Sequence, residues 1–466
     1  MDENLLIELS RAQFAMTAIF HILWPILSIS LSAFIFFLEA RWLRTGDIAY
    51  YQHARHWARL LILNFAVGVV SGIPMEFQFG TNWAGFSEFT GQFFGNILGF
   101  EGAMAFMLEA GFMGIVMFGW GRVPAAVHLF ATGMVALGST LSAFWIMVAN
   151  SWMQTPAGVS VHDGKIFVDS YAQAIFSPDM LWGVAHMWTA AIETGLFVVA
   201  GISAYHLFRE RHTDFFLKSF RMALIALVVV APLQVWLGDA SGVDIFRTQP
   251  AKGAAIEGHW HTNAPGTGAS WSLLAWPDQS EQKNDWSVEV PGMLSILGTH
   301  SLHGKVIGLA DIPRNDQPPF IPLLYYAFRV MAGIGFAFVL LALWTALAIR
   351  KTRRAPHELA TRKRLLLAWI LAIPLPYIAV ESGWIVREVG RQPWIVYGLL
   401  RTRDAVSVNV TPTATMLSIA MFFAFYVVLI STFFFFARRW LHAGPDLTMH
   451  PPEHAAVVIE KTPSAR

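Results

Sequence analysis

Residues 14–40 read FAMTAIFHILWPILSISLSAFIFFLEA. A helix crosses a bilayer core with roughly 20 mostly apolar residues, and this stretch is long enough to do so. The preceding MDENLLIELSRAQF places Asp2, Glu3 and Glu8 ahead of its first arginine, Arg11. A secretory signal has a positive start, a short apolar centre and a small-residue cleavage site. None of these is present, so the stretch reads as a retained first span.

Eight further stretches meet the same length criterion: 57–79, 95–120, 127–151, 182–207, 217–238, 322–349, 364–386 and 413–437. Composition agrees. Of 466 residues, 55% are apolar and 14% charged, whereas a soluble protein carries about a quarter charged residues. Mean hydropathy is +0.49, and the chain holds 37 Phe and 19 Trp. An ordinary cytosolic enzyme and a disordered chain are both excluded. A net charge of +1 leaves no electrostatic footprint for nucleic acid. Zero cysteines exclude disulfides, thiolate-bound zinc and cysteine-ligated iron–sulfur clusters. Any metal or haem must be held by His, Met or carboxylates. The expected fold is an all-α, polytopic membrane bundle of about nine helices.

Basic residues orient the bundle. The loop after the first span holds Arg41, Arg44, Arg55 and Arg59, and the loop after the fifth holds Arg209, Arg211, Lys218 and Arg221. The stretch RKTRRAPHELATRKR (350–364) holds seven basic residues, and Arg438 and Arg439 follow the ninth span. Loops after the second and fourth spans carry none and one, Lys165. Alternate loops are thus basic, placing the N-terminus outside and the C-terminus in the cytoplasm. A polar tail, 441–466, closes the chain.

Two outer segments interrupt the pattern. Residues 239–321 are rich in Gly, Pro and Trp and are expected to form a small cap between helices 1–238 and helices 322–440. Residues 387–403 carry Arg387, Arg391, Arg401 and Arg403 on the side where the rule disfavours them. They serve either as rim salt bridges or as a site for something anionic, such as haem propionates.

Ionisable groups within spans are functional candidates: His21, Glu76, Glu101, Glu109, His186, Glu193, Arg329 and Glu381. His21, Glu101, His186 and Met331 lie early in inward-running spans, and Glu381 lies late in an outward-running one. At 1.5 Å per residue, His21 and Glu101 sit about 9–11 Å below the outer boundary. Five helices therefore bring a donor to the outer third of the membrane. Singly, a buried His or Met is usually a packing residue. As a set at one depth, imidazole, thioether and carboxylate are the axial donors left for haem iron when cysteine is absent. Glu109 lies about 12 Å deeper than Glu101 on the same helix, rotated by roughly 80°. It suits a proton relay that Ser142 could extend, or else a buried structural carboxyl.

At these residues the chain resembles subunit I of the cytochrome bd family of quinol oxidases. The matching segments are RAQFAMTAIFH (11–21), MEFQFGTNW (75–83), GFEGAMAFMLE (99–109), WIMVANSWMQ (145–154), LGDASG (237–242), YAFRVM (326–331), IPLPYIAVESGW (373–384) and VGRQPW (389–394). The resemblance implies that His186 and Met331 are axial ligands of a low-spin haem b, with Arg329 the arginine of that motif. It assigns His21, Glu101 and Glu381 jointly to a high-spin haem b and a haem d, since members differ in which haem takes which place. It makes Glu109 the proton-path glutamate, and GRQPW accounts for Arg391. QPAKGAAIEGHW (249–260) places Lys252 and Glu257 at the positions linked to quinol oxidation. A compact 239–321 is similar to the short-loop branch, in which a b-type haem can replace haem d and oxidases described as cyanide-insensitive occur.

The resemblance implies a bacterial inner-membrane oxidase with a periplasmic quinol loop, oxidising ubiquinol or menaquinol and reducing dioxygen to water. Protons would be released outside and drawn from the cytoplasm, separating charge without a pump. A second integral membrane subunit and a small single-span one are the implied partners within the lipid bilayer. No CuB-type histidine cluster is visible, which disfavours a haem–copper oxidase. A proton-coupled transporter is disfavoured by the lack of repeat symmetry, and a pure electron-transfer subunit by the lack of His pairs on facing helices.

Overall fold

The computed structural model describes residues 2–351 and 356–451. The centre of the basic loop 350–364 and most of the tail 441–466 lie outside the described residues. Among the described residues, nine helices are long and apolar enough to cross a membrane: Asn4–Thr45, Ile48–Thr81, Phe94–Phe118, Ala125–Gln154, Met180–Phe208, Thr213–Thr248, Ile321–Arg350, Lys363–Val389 and Pro412–Ala443. They are called the first to ninth spans below.

Most of the helices run beyond their apolar stretches, to ends set by local signals. The second is capped by Asp47, whose carboxylate accepts from the Ala49 N–H at 2.9 Å. The ninth begins at Pro412 behind the N-cap Thr411 and ends at Gly444, where φ is +69°. The sixth was expected to stop at 238 but continues to Thr248. LGDASGVDIFRT contains no proline, so the helix runs on until Gln249 precedes Pro250.

In lipid, helix association relies on close packing, which small residues permit. A Cβ on Gly195 would lie 2.1 Å from the Ser30 hydroxyl, and one on Gly201 would lie 2.2 Å from Ile373. These glycines let the fifth span touch the first and eighth. The fifth is accordingly the central helix, with 78% of its most apolar window buried, against 6% for the ninth at the rim. The aromatic surplus fills two cores. Trp57, Phe197, Phe216, Phe220, Phe338 and Trp369 occupy the half nearer the basic loops. Phe86, Phe93 and Trp152 occupy the other.

Among the described residues, three antiparallel hairpins, none expected from the sequence, lie in the loops: Val159–His162 with Lys165–Val168, Trp271–Asp278 with Lys283–Val290, and Trp394–Val396 with Leu400–Arg401. The first turns on Asp163–Gly164, both at positive φ, as a two-residue hairpin loop requires. The second belongs to the cap. There the short helix Pro250–Glu257 and the hairpin fold over the start of the seventh span, while the helix Met293–Thr299 packs on the end of the sixth span and on the hairpin. Tyr325 and Tyr326 donate to the carbonyls of Ser272 and Ala275 at 2.8 and 2.9 Å.

Replacing Gly201 with Val should lower the thermal midpoint of the solubilised protein, because overpacking costs about 1–3 kcal/mol. An unchanged melting curve would show that the fifth and eighth spans are not in fixed contact.

Candidate functional site

One apolar cluster sets the level of the candidate ligands. It joins Ile22, Ile26 and Ile29 of the first span, Ala143 of the fourth, Met187 and Ala191 of the fifth, and Tyr377, Val380 and Trp384 of the eighth. Ile22 follows His21, Met187 follows His186, and Val380 precedes Glu381. Ala143 follows Ser142, whose hydroxyl donates to Glu101 at 2.6 Å. Four donors are thereby fixed around one layer. Met331 joins from the seventh span, since a Cβ on Gly383 would lie 3.0 Å from its Sδ. Gly335, one turn beyond Met331, faces Val235 of the sixth span. The adjacent Gln234 Nε2 lies 3.3 Å from His186 Nε2.

The unpaired groups at this level have a pattern. His186 Nδ1, both carboxylate oxygens of Glu381 and the indole N–H groups of Trp188 and Trp384 are buried without partners. An isolated buried carboxylate is expensive, and two open oxygens suit an iron ligand. His21 has one ring nitrogen held by Ser71 at 3.0 Å. Glycines pack beside both rings: added Cβ atoms on Gly72 and Gly238 would lie 3.0 and 3.4 Å from the Cε1 atoms of His21 and His186. Imidazole, thioether and carboxylate donors at this level fit haem.

Glu101 and Glu109 do not follow a regular helix. The segment Glu101–Phe106 is a π-helix, whose wider turns are frequent at functional sites and change the expected angular offset. Both carboxylates meet the same neighbour. Ser139 donates to Glu109 at 2.5 Å, and Ser142 serves Glu101 instead of extending from Glu109. Ser139 was not singled out in the sequence, because placing it needs the π-helical register. Glu76 is exposed on the second span, whereas Glu193 is buried with Oε1 unpartnered.

Arg329 is fully committed to protein. Its Nε donates to the Leu273 carbonyl at 3.2 Å, and its terminal nitrogens donate to the Ile256 and Ser272 carbonyls and to Glu257 Oε2 at 2.7, 2.5 and 2.9 Å. The Trp271 indole also donates to Glu257 Oε2, at 2.9 Å, so Oε1 is the oxygen left to accept. Burial pushes the Glu257 carboxyl up, against the pull of Arg329.

Lys252 and Glu257 do not stand side by side. Five residues apart on one helix, they point roughly 140° apart. Glu257 faces the seventh span, and Lys252 faces the fourth and eighth. Lys252 donates to Gln154 Oε1 at 2.6 Å, and Gln249 donates to the same oxygen at 3.1 Å. Burial, then the charges of Arg387 and Arg391, push Lys252 well below the usual lysine range. Gln154 closes the WIMVANSWMQ stretch, and nothing in its spacing pairs it with Lys252.

The four outer arginines all find acids: Arg387 with Asp179 at 2.6 Å, Arg391 with Glu388, Arg401 with Asp316 at 2.5 Å, and Arg403 with Asp404 at 3.5 Å. Arg391 alone among them also has buried unpartnered donors, Nε and one terminal nitrogen. Rim pairing therefore describes Arg401 and Arg403, Arg387 forms a largely buried pair with Asp179, and Arg391 keeps donors suited to an anionic group.

This arrangement defines a class: a multi-span membrane protein with haem-type donors in one layer and a polar cap above them. A family model, cytochrome bd terminal oxidase subunit I, matches residues 9–445. Cytochrome bd ubiquinol oxidase subunit 1 of Bacillus subtilis (strain 168) is 35% identical over 451 residues, 95% of each chain. Cytochrome bd-II ubiquinol oxidase subunit 1 of Escherichia coli (strain K12) is 32% identical, covering 94% of this chain and 97% of that one. The structure of bd oxidase from Geobacillus thermodenitrificans matches with a TM-score of 0.86 at 29% identity, over 96% of this chain and 100% of that one. The chain belongs to the cytochrome bd terminal oxidase subunit I family.

Met331→Leu should alter the low-spin haem spectrum and leave the other haem signals in place, read by reduced-minus-oxidised difference spectroscopy. Unchanged signals throughout would remove Met331 from the ligand set.

Proposed function

We propose that this chain oxidises a membrane quinol beneath its cap and, through haems held by its ligand layer, delivers the electrons to dioxygen, which is reduced to water. The quinol:oxygen oxidoreductase activity is that of its family. The residue roles rest chiefly on one observation: Arg329, two residues from Met331, holds Glu257 at 2.9 Å. The carboxylate that would meet quinol is thus bound, from the short helix Pro250–Glu257, to the turn of the seventh span that carries the thioether that would meet iron.

Bound haem supplies the one-electron and oxygen chemistry that side chains lack. The protein supplies the rest. Glu257 Oε1 accepts a quinol hydroxyl proton. Lys252, held by Gln154 and disfavoured as a cation by burial, hydrogen-bonds a ring oxygen. His186 and Met331 hold the low-spin haem b. His21, Glu101 and Glu381 hold the remaining two haems, one a high-spin b and the other a haem d or, as in the short-loop branch, a third b-type haem. Arg391 offers its spare donors to a propionate. Glu109, hydrogen-bonded by Ser139, takes up protons for water formation.

The alternating basic loops support an N-terminus in the periplasm and a C-terminus in the cytoplasm. Quinol protons then leave on the cap side while oxygen-reduction protons come from the basic-loop side, so turnover separates charge without a pump. A second integral membrane subunit completes the oxidase, and a small single-span subunit accompanies it.

Glu257→Gln should slow quinol oxidation by about a hundredfold, the scale of a lost general base. Oxygen reduction driven by an artificial electron donor should persist; equal loss of both activities would remove Glu257 from quinol chemistry. The base works as its carboxylate, so activity falls on acidification. Because burial raises that carboxyl, the acid limb should lie above about 4.3, the ordinary glutamate value.

A further inference from the structure

Glu39 near the end of the first span and His128 near the start of the fourth are 1% and 3% exposed. His128 Nδ1 lies 2.9 Å from Glu39 Oε2, and Thr132 donates to Glu39 Oε1 at 3.0 Å. His128 Nε2 is buried without a partner. Trp120 covers the imidazole with ring centroids 4.0 Å apart. The second span adds Tyr51, within electrostatic reach of Glu39, and Arg55, whose guanidinium lies 5.0 Å from the Trp120 ring. These are the titratable and charged groups facing the pair. All lie at the basic-loop end, opposite the cap.

A buried pair of this kind is poor economy as a mere tie, because desolvation offsets much of its attraction. A tie also has no use for an imidazole nitrogen left open. The pair has a directional context as well. On the fourth span, His128, Thr132, Ser139 and Ser142 fall within an arc of roughly 80°. Along that face, His128 and Thr132 hold Glu39, and Ser139 holds Glu109. Thr132 and Ser139 are seven residues apart, about 10 Å, an interval that bridging water can cover.

We infer that Glu39 and His128 form the proton-loading pair that supplies Glu109 from the basic-loop end. His128 Nε2 takes a proton from water, and the resulting imidazolium is balanced by the Glu39 carboxylate. The Nδ1 proton passes to Glu39 and on through the Thr132 hydroxyl and water to Glu109, which returns the ring to neutrality. No electrons move in this step. The inference rests on Glu109 acting in proton uptake, as proposed above.

The test compares Glu39→Gln, His128→Gln and Glu109→Gln in the complete oxidase reconstituted in liposomes. Quinol-driven oxygen consumption, charge separation and haem spectra are measured across pH. Gln at 39 keeps an acceptor for Thr132 but cannot carry the proton. Glu39→Gln and His128→Gln should each slow turnover by about tenfold or more, with normal haem spectra and a loss that steepens toward alkaline pH. Glu39→Asp, which restores a titratable group, should recover part of the rate. Wild-type turnover and pH profile in the 39 and 128 variants, beside a slowed Glu109→Gln, would overturn the pair's role alone. Wild-type behaviour in all three would overturn the Glu109 reading with it. Loss of haem from both the 39 and 128 variants would show a structural tie and likewise overturn the inference.

Discussion

The hydrogen bonds of Arg329 bind the cap to the bundle. A guanidinium at the top of a membrane helix needs partners for its donors, and here three cap carbonyls and the Glu257 carboxylate supply them. The hairpin, the short helix Pro250–Glu257 and the seventh span consequently share one anchor. Glu257 is thereby tied to the helix that carries Met331, so the proposed quinol and haem roles would share one support.

A second constraint governs the rest of the interior. Polar groups in a low-dielectric span must be paired or be functional. The pairings fall into two classes. Glu39, Glu101 and Glu109 each receive a hydroxyl from the fourth span, which makes that helix the polar spine of the bundle. Glu381 and His186 Nδ1 receive none, as groups reserved for a bound partner would. At the cap end, Arg387, Arg391, Lys252, Asp179 and Glu388 form a dense network of opposite charges. Gln154 is its hinge, because it accepts from Lys252 and donates to Glu388 at 3.3 Å.

The nine spans were legible because twenty apolar residues in a row admit few other readings. The sixth span's extension was not, since LGDASGVDIFRT is polar enough to look like a loop and is helical only because nothing breaks it. The hairpins were hidden for a related reason: two have strands of two to four residues, and in the third the strand Lys283–Val290 is mostly polar and almost wholly exposed. Among site residues, the proposed common level of His21, Glu101, His186 and Glu381 could be read from helical rise. The partnership of Ser139 with Glu109 could not, because the π-helix shifts the register between Glu101 and Glu109. Glu39 and His128 are 89 residues apart in the chain, and only the packing of the first span on the fourth makes them a pair. Lys252 and Glu257, adjacent in motif, face different helices for the simple reason that five residues of α-helix separate them.

If one layer of donors on five helices holds haem, a reduced-minus-oxidised absorption spectrum of the purified membrane complex, with haem extracted and quantified as pyridine haemochrome, should show it. Three haems are expected for each copy of this chain, at least two of them b-type, with a red-shifted chlorin band if the third is haem d. A folded preparation without haem would contradict that expectation.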